Sequence, residues 1–264
     1  RPRVALAGLS GPLRPDIMRT FLCLSFIAAL GFAADPPATK SAPALAKEFA
    51  PIVDDPKLPR VLIIGDSVSV AYTLDVRKNL AGMANVHRIA ANGGSTRTAL
   101  GDYGLVRWLK PGEKWDVIHF NEGLHDLSYR FPDDRDKNDK GEYASPTNGG
   151  RPNVSVEQYE KNLHLIVARL KQTGAKLIFA STTPVPESAA AKYVKDSELP
   201  YNAVAKKVMA EEGVTWNDLW AAVKPKQDQL QGKRNVHFMA SGSAVLAKQV
   251  AEAITRELPQ PTSK

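Results

Sequence analysis

The stretch Arg60-Val61-Leu62-Ile63-Ile64-Gly65-Asp66-Ser67 decides the predicted fold. Its short apolar run is rich in β-branched residues, which is typical of a buried strand. Gly65 then allows a sharp turn, and a helix through about Leu80 begins near Ser67. The serine is thereby placed at the carboxyl end of a strand, with its N–H at a helix N-terminus. A nucleophile needs this placement, but an ordinary turn with a capping serine shows it too.

Strands and helices alternate along the rest of the chain. Further apolar runs predict strands at 84–89, 115–120, 176–181 and 214–216. Helices are expected at 96–109, after Ser155, at 200–212, at 218–223 and at 241–258. Residues 129–154 are polar and rich in Gly, Asp and Pro, so we expect a long loop there. This alternation predicts an α/β fold with a parallel sheet that helices cover on both faces.

Composition limits the class of protein. The chain has 264 residues, of which 43% are hydrophobic and 24% charged, which fits one globular domain with tails. The formal net charge is +7, but the sequence contains no basic run. We therefore expect no nucleic-acid partner.

The N-terminal part has the pattern of a secretory signal. Met18 and Arg19 precede an apolar run from Phe21 to Phe32, which ends in small residues. We predict a signal peptide at 18–33, cleaved after Ala33, with residues 1–17 as an upstream leader that is not native. A retained N-terminal anchor is the alternative, although the run is short for a membrane span.

This signal predicts a periplasmic or extracellular protein without stable membrane insertion after cleavage. Cys23 is the only cysteine and lies in the signal, so the mature chain has no disulfide. A Pro- and Ala-rich linker is expected at 34–56, a folded domain at 57–258 and a tail at 259–264.

Polar, Gly-bearing loops follow the first three predicted strands. Because the carboxyl ends of parallel strands meet at one edge of a sheet, we expect these loops to lie together. Acyl transfer needs a nucleophile, a base and donors for the oxyanion. Ser67 can supply the nucleophile, and His237, just before the last helix, can supply the base. The backbone N–H of Ser67, an N–H of the Gly93-Gly94 loop and the Asn121 amide can bind the oxyanion.

The order Gly65-Asp66-Ser67, an Asn/Gly loop, Asn121 and Val236-His237-Phe238 resembles the SGNH hydrolases, also called the GDSL family, over about residues 57–258. This resemblance implies a three-layer α/β/α sandwich with a central parallel five-stranded sheet, flavodoxin-like in topology. It also implies ester hydrolysis through an acyl-serine, with no cofactor.

The family's site residues correspond to positions in this chain. Its serine matches Ser67, its glycine Gly94 with Gly93 as the near alternative, its asparagine Asn121 and its histidine His237. The stretches 182–186 and 123–126 resemble a subgroup of secreted bacterial members that is often linked with carbohydrate O-acetyl esters.

The chain departs from the family pattern at His119 and Glu122, where the family has a glycine before and an aspartate after its asparagine, and again before His237. The aspartate that usually stands three residues before the histidine is Arg234 here, followed by Asn235. A carboxylate would hold the imidazole tautomer and stabilise the imidazolium, which arginine cannot do. Asn235 or a backbone carbonyl could orient His237 instead, or Asp126 or Asp218 could substitute, or the protein could be slow or inactive.

The sequence thus predicts a secreted serine esterase that hydrolyses small acyl esters, acetyl above all, on small molecules or polysaccharides. Supporting or pocket positions are expected at Asp66, Gly93, His125, Asp126 and Asn235. The alternative is a weak or inactive carbohydrate-binding protein that keeps the fold.

A third hypothesis is a metal-dependent hydrolase that uses His119, Glu122 and His125. These residues do not lie one helical turn apart on a helix, as zincin ligands do. We therefore expect no metal ligands.

Overall fold

The computed structural model describes residues 46–132, 142–187 and 190–259. The predicted leader 1–17, signal peptide 18–33 and start of the linker lie outside the described residues, as do 133–141 of the predicted loop and 260–264 of the tail. The described residues all belong to one compact unit. Within the described ranges, no helix combines the length and the apolar character needed to cross a membrane.

Seven strands are present in the described part of the chain: β1 (Arg60–Ile64), β2 (Asn85–Arg88), β3 (Val117–Phe120), β4 (Tyr129–Arg130), β5 (Arg151–Pro152), β6 (Lys176–Ala180) and β7 (Thr215–Asn217). Five of them form a parallel sheet in the order β2-β1-β3-β6-β7. The chain adds β2 on one side of β1 and β3 on the other. The direction in which strands are added therefore reverses at β1. In such sheets, ligands bind in the crevice at the carboxyl ends of the strands beside this point of reversal.

Helices cover both faces of the sheet, as predicted. They are α1 (Ser67–Asn79), α2 (Thr96–Leu100), α3 (Leu105–Trp108), α4 (Leu124–Leu127), α5 (Val156–Lys171), α6 (Glu198–Glu211), α7 (Leu219–Val223), α8 (Gln227–Leu230) and α9 (Ala240–Glu257). α1 and α7 pack against α9, whereas α2 and α6 pack against α5. The three-layer α/β/α prediction is confirmed.

The helical periodicity around α5 identified its buried face correctly. Tyr159, Leu163, Ile166 and Leu170 are all inaccessible to solvent or nearly so. The Ser155 side chain accepts the Gln158 N–H at 3.3 Å and thereby caps the N-terminus of α5. Such an amphipathic face packs against the sheet because burial of apolar area stabilises the fold.

The helix predicted at 96–109 is wrong as a single element. The chain forms α2 and α3 with a break at Gly101–Gly104. Gly101 has an extended ψ of −178°, and a Cβ atom at Gly104 would collide with the carbonyl oxygens of Thr98 and Ala99. The break therefore depends on backbone contacts that helical periodicity does not report.

The predicted loop 129–154 also contains regular structure where it is described. Tyr129–Arg130 pairs with Arg151–Pro152 as a two-stranded antiparallel sheet, and Pro146–Asn148 forms a 3₁₀ turn. Strands of two residues are too short to show the alternation that identifies a strand in sequence.

Residues 46–56 lie in the predicted linker but bond to α1 and to the start of the edge strand β2. The Arg77 guanidinium donates to the carbonyls of Lys47 at 3.1 Å and Ala50 at 3.4 Å. The Asn85 amide donates to the Asp55 carbonyl at 2.8 Å and accepts the Asp55 N–H at 2.9 Å. These bonds join the segment to α1 and to the start of β2. The ordered domain therefore begins before residue 57.

Candidate active site

Ser67 is the first residue of α1, directly beyond β1. Asp66 is the N-cap, and its Oδ1 accepts the Val68 N–H at 2.9 Å. The Asp66 carboxylate is buried, so the predicted supporting role of this residue takes the form of a helix cap. The backbone N–H of Ser67 belongs to the first turn, where no carbonyl of the helix can accept it.

The structure brings Ser67 and His237 together from opposite ends of the sequence. Ser67 Oγ lies 2.7 Å from His237 Nε2. His237 Nδ1 lies 2.7 Å from the amide oxygen of Asn235. Hydrogen-bond contact from nucleophile to base, and from base to an orienting group, is the geometry that activates a hydroxyl.

The contacts of Asn235 determine the tautomer of His237. The backbone N–H of His237 donates to Asn235 Oδ1 at 3.1 Å. Because a backbone N–H can only donate, the side-chain atom that faces it must be the amide oxygen. The same oxygen faces Nδ1, so Nδ1 carries the hydrogen. Nε2 then has a free lone pair to accept the Ser67 hydroxyl proton.

Arg234 does not occupy the orienting position that the family pattern gives to aspartate. Its side chain is exposed, and its backbone is left-handed, with φ +57°. The Asn235 N–H donates to the Gly232 carbonyl at 3.2 Å, which closes a turn around Arg234. This turn brings Asn235 back towards the imidazole.

The predicted oxyanion donors lie on neighbouring loops. The Asn121 N–H donates to the Ile64 carbonyl at 3.1 Å, which places the ends of β1 and β3 side by side. Asn121 Nδ2 donates to the Ala180 carbonyl at 2.8 Å, and an amide nitrogen carries a second hydrogen for another acceptor. The Gly94 N–H donates to Asn92 Oδ1 at 3.2 Å, a long bond that an oxyanion could replace.

Gly93 sits where the loops after β1 and β2 touch through their backbones. Its N–H donates to the Gly65 carbonyl at 2.9 Å. A Cβ atom at Gly93 would lie 2.9 Å from that same oxygen. Only glycine permits this approach without a shift of one loop.

The carboxylates proposed as substitutes for the missing aspartate have other roles. Asp126 accepts the Thr96 N–H at 3.0 Å and also the Thr96 hydroxyl, and it is fully buried. Asp218 Oδ1 accepts the Ala221 N–H at 3.1 Å and caps α7. The hypothesis that either one orients His237 is wrong in this structure, because Nδ1 is bonded to Asn235.

His125 lies on α4 and is half-buried. Its carbonyl accepts the Ser128 hydroxyl at 2.9 Å and the Asn153 amide at 3.1 Å. Through these bonds and those of Asp126 to Thr96, the loop after β3 is connected to the start of α2 and to Asn153. Both residues stabilise loops around the site in the structure.

His119 is a core residue of β3. Its Nε2 lies 3.1 Å from the Asn217 amide nitrogen, and burial lowers its pKa to about 3, so it is neutral. In the ranges that the structure describes, no group of three or more His, Cys, Asp or Glu side chains could hold a metal ion.

Gln231 is a further residue of the site, which no sequence pattern predicts, and it holds the His237 loop in place. Its amide nitrogen donates to the carbonyls of Pro184 at 2.8 Å and Val236 at 2.9 Å. Gln231 is 4% exposed. A single polar residue before a glycine carries no signal of such a role.

Comparison with known families supports the resemblance stated above. Residues 63–245 match the model of the GDSL-like lipase/acylhydrolase family. This match covers all the residues discussed around Ser67 and His237. A search of curated proteins finds no match.

Solved structures share the fold. A lipase/acylhydrolase from Enterococcus faecalis is 18% identical, with a TM-score of 0.59 over 78% of this chain and 100% of that chain. An acetylxylan esterase from Geobacillus stearothermophilus is 18% identical, with a TM-score of 0.53 over 74% of this chain and 94% of that chain. At these identities the likeness concerns the fold alone.

Proposed function

Because the chain belongs to the GDSL-like lipase/acylhydrolase family, we propose that it is a serine esterase with Ser67 as nucleophile and His237 as base. The observation that carries this proposal is the 2.7 Å contact between Ser67 Oγ and His237 Nε2. The amide oxygen of Asn235, 2.7 Å from Nδ1, orients the His237 ring.

The proposed roles cover each step of ester hydrolysis. Ser67 Oγ attacks the ester carbonyl carbon while His237 Nε2 accepts the hydroxyl proton. The oxyanion of the tetrahedral intermediate accepts hydrogen bonds from the N–H groups of Ser67 and Gly94 and from Asn121 Nδ2. His237 then protonates the leaving alkoxide as the C–O bond breaks.

Water completes the cycle. His237 Nε2 takes a proton from a water molecule, whose oxygen attacks the acyl-Ser67 carbonyl. The second tetrahedral intermediate collapses to the free acid, and the proton returns from His237 to Ser67 Oγ. None of these reaction steps requires a cofactor.

We propose small acyl esters, and acetyl esters of polysaccharides above all, as substrates. The stretches 123–126 and 182–186 support this by their resemblance to carbohydrate-esterase members of the family. The acetylxylan esterase among the structures of the same fold makes acetylated xylan the first polymer to test. Export by the signal peptide predicted at 18–33 would bring the enzyme to such polymers.

The test compares purified wild-type protein with Ser67→Ala on p-nitrophenyl acetate and acetylated xylan. Ser67→Ala should abolish release of nitrophenol and acetate and leave the melting temperature nearly unchanged. Ser241→Ala, an exposed serine of α9, is the matched control and should keep full activity. Turnover retained by Ser67→Ala would refute the assignment of the nucleophile.

A second candidate function has one observation in its favour. The group on His237 Nδ1 is a neutral amide, so no carboxylate there stabilises the imidazolium. A protein that binds acetylated glycans without cleaving them would fit this arrangement. Retention of acetylated xylan without acetate release by the wild-type protein would favour that function over hydrolysis.

A further inference from the structure

Arg88 is a buried arginine at the carboxyl end of β2, behind the Ser67 turn. It is 8% exposed. Its Nη1 donates to Ser69 Oγ at 2.7 Å, and its Nη2 donates to the carbonyls of Gly65 at 3.0 Å and Ala91 at 3.1 Å. One guanidinium thus binds the loop after β1, the loop after β2 and the first turn of α1.

The two loops that Arg88 joins carry two of the proposed oxyanion donors. Ser67 follows Gly65 by two residues, and Gly94 follows Ala91 by three. The Gly65 carbonyl accepts both the Arg88 guanidinium and the Gly93 N–H, at 3.0 and 2.9 Å. A carbonyl oxygen has two lone pairs. Both lone pairs of the Gly65 oxygen are used, so the orientation of this carbonyl group is fixed.

The hydroxyl of Ser69 extends this network to the helix cap. Ser69 Oγ accepts from Arg88 and donates to the Asp66 carbonyl at 2.6 Å. The backbone on both sides of Ser67 is therefore connected to the same guanidinium.

A guanidinium suits this position for a physical reason. The planar fork of arginine supplies several donors in a rigid arrangement, so one side chain can bind a carbonyl of each loop. Burial lowers the pKa of Arg88 to about 10, so the side chain remains charged at neutral pH.

We propose that Arg88 is a positioning residue that holds the N–H groups of Ser67 and Gly94 in the relative position needed to bind the oxyanion. This inference rests on the esterase proposed above. Arg88 does not touch the reacting atoms; it acts through the carbonyls of Gly65 and Ala91. Its loss should therefore affect transition-state stabilisation more than substrate binding.

Arg77 provides a matched control. Arg77 and Arg88 line the same cavity of about 580 Å³ beside β2, and burial lowers the pKa of both. Arg77, however, donates to the carbonyls of Val86, Lys47 and Ala50 and not to the Ser67 turn. It shares the charge of Arg88 and its position beside β2, although it is half-buried where Arg88 is buried, and it lacks the connection to the site.

The experiment measures kcat and KM on p-nitrophenyl acetate for Arg88→Met, Arg88→Lys and Arg77→Met. Displacement of catalytic groups by about 1 Å can lower a rate about 100-fold. We expect Arg88→Met to lower kcat about 10- to 100-fold with KM within about threefold, and Arg77→Met to keep kcat within about twofold. A folded Arg88→Met variant with wild-type kcat would overturn the proposal.

Arg88→Lys retains the charge but supplies one flexible donor group in place of the fork. It should fold, and its kcat should lie between those of the wild type and Arg88→Met. If Arg88→Met does not fold, Arg88→Lys decides: a drop in kcat at an unchanged melting temperature supports the proposal, and an unchanged kcat overturns it.

Amide NMR separates this inference from the esterase proposal. In Arg88→Lys or Arg88→Met, the Ser67 and Gly94 amide signals should shift or broaden, and in Arg77→Met they should stay in place. If the wild type hydrolyses no ester, the esterase proposal fails while these signals still test Arg88. Unchanged Ser67 and Gly94 signals in the Arg88 variants would contradict the inference.

Discussion

At the scale of single residues, the unusual feature of the site is Asn235. Its amide oxygen accepts from both the backbone N–H and Nδ1 of His237, at 3.1 and 2.7 Å. The amide can therefore hold the ring and its tautomer as a carboxylate would. It carries no charge, however, so it stabilises the imidazolium of the transition state less.

Replacement of Asn235 by aspartate should increase kcat. The carboxylate would keep both hydrogen bonds and add a favourable charge beside the imidazolium that forms in the transition state. Asn235→Ala should lower kcat about tenfold or more, because nothing then orients the ring. Steady-state kinetics from acid to neutral pH measure both effects.

Arg234→Asp is the control for this prediction. It restores the residue that the family pattern has three positions before the histidine, but the position is exposed and lies in a left-handed turn. We expect a change in kcat of less than about threefold, because Nδ1 is already bonded to Asn235. A larger gain from Arg234→Asp than from Asn235→Asp would show that Asn235 is not the orienting group.

Residue roles could be predicted where a motif carries them. The roles proposed for Ser67 and His237 came from an ordered family pattern, and the structure places the two side chains in contact. Arg88 and Gln231 could not be found in this way. Their roles depend on carbonyls that come close only in the folded chain, and a lone arginine at a strand end or a glutamine before a glycine has no distinctive spacing.

At the scale of elements, the site depends on two loops that touch through their backbones. The Gly93 N–H donates to the Gly65 carbonyl at 2.9 Å, and Arg88 binds the carbonyl from another direction. The loops therefore act as one unit, in which Ser67 and Gly94 have a set separation.

Gly93→Ala should separate these loops. The added methyl group would lie 2.9 Å from the Gly65 carbonyl oxygen and 3.0 Å from its carbon, which backbone atoms can relieve only by moving. We expect a loss of about 1–3 kcal/mol in the free energy of unfolding and a fall in kcat of about tenfold or more. Urea denaturation and steady-state kinetics measure the two quantities.

Gly101→Ala is the comparison, since Gly101 ends α2 and also lacks a left-handed backbone. It should leave kcat within about twofold of wild type. Equal kcat values for Gly93→Ala and Gly101→Ala would contradict the view that the two loops set the donor geometry.

Helices with a strong hydrophobic periodicity could be predicted from the sequence. Interruptions that depend on close backbone contacts could not. The apolar stripe of α5 identified its buried face. The break between α2 and α3 depends on the close approach of Gly104 to the carbonyls of Thr98 and Ala99. The β4–β5 pair is too short to have a period.

At the scale of the whole molecule, His119 couples stability to pH. It is fully buried, and burial lowers its pKa from 6.5 to about 3. Between these two values the unfolded chain binds a proton that the folded chain does not. The stability that neutral His119 contributes is therefore complete above about pH 6.5 and is lost as the pH falls towards 3.

Comparison with His119→Gln isolates this effect, because an amide binds no proton in this range. The wild type should lose about 1 kcal/mol of unfolding free energy per pH unit more than the variant between about pH 6 and pH 4. Urea denaturation of both proteins at several pH values measures the slopes. Parallel slopes would mean that His119 is protonated in the folded protein.

The central claim of this account is that His237 activates Ser67. Labelling of the wild-type protein with a fluorophosphonate, followed by peptide mass mapping, tests it most directly, because only an activated serine reacts. We predict a covalent adduct on Ser67 in the wild type, and its absence in His237→Ala under the same conditions. A folded wild-type protein that carries no adduct on Ser67 would contradict the claim and favour a binding protein with this fold.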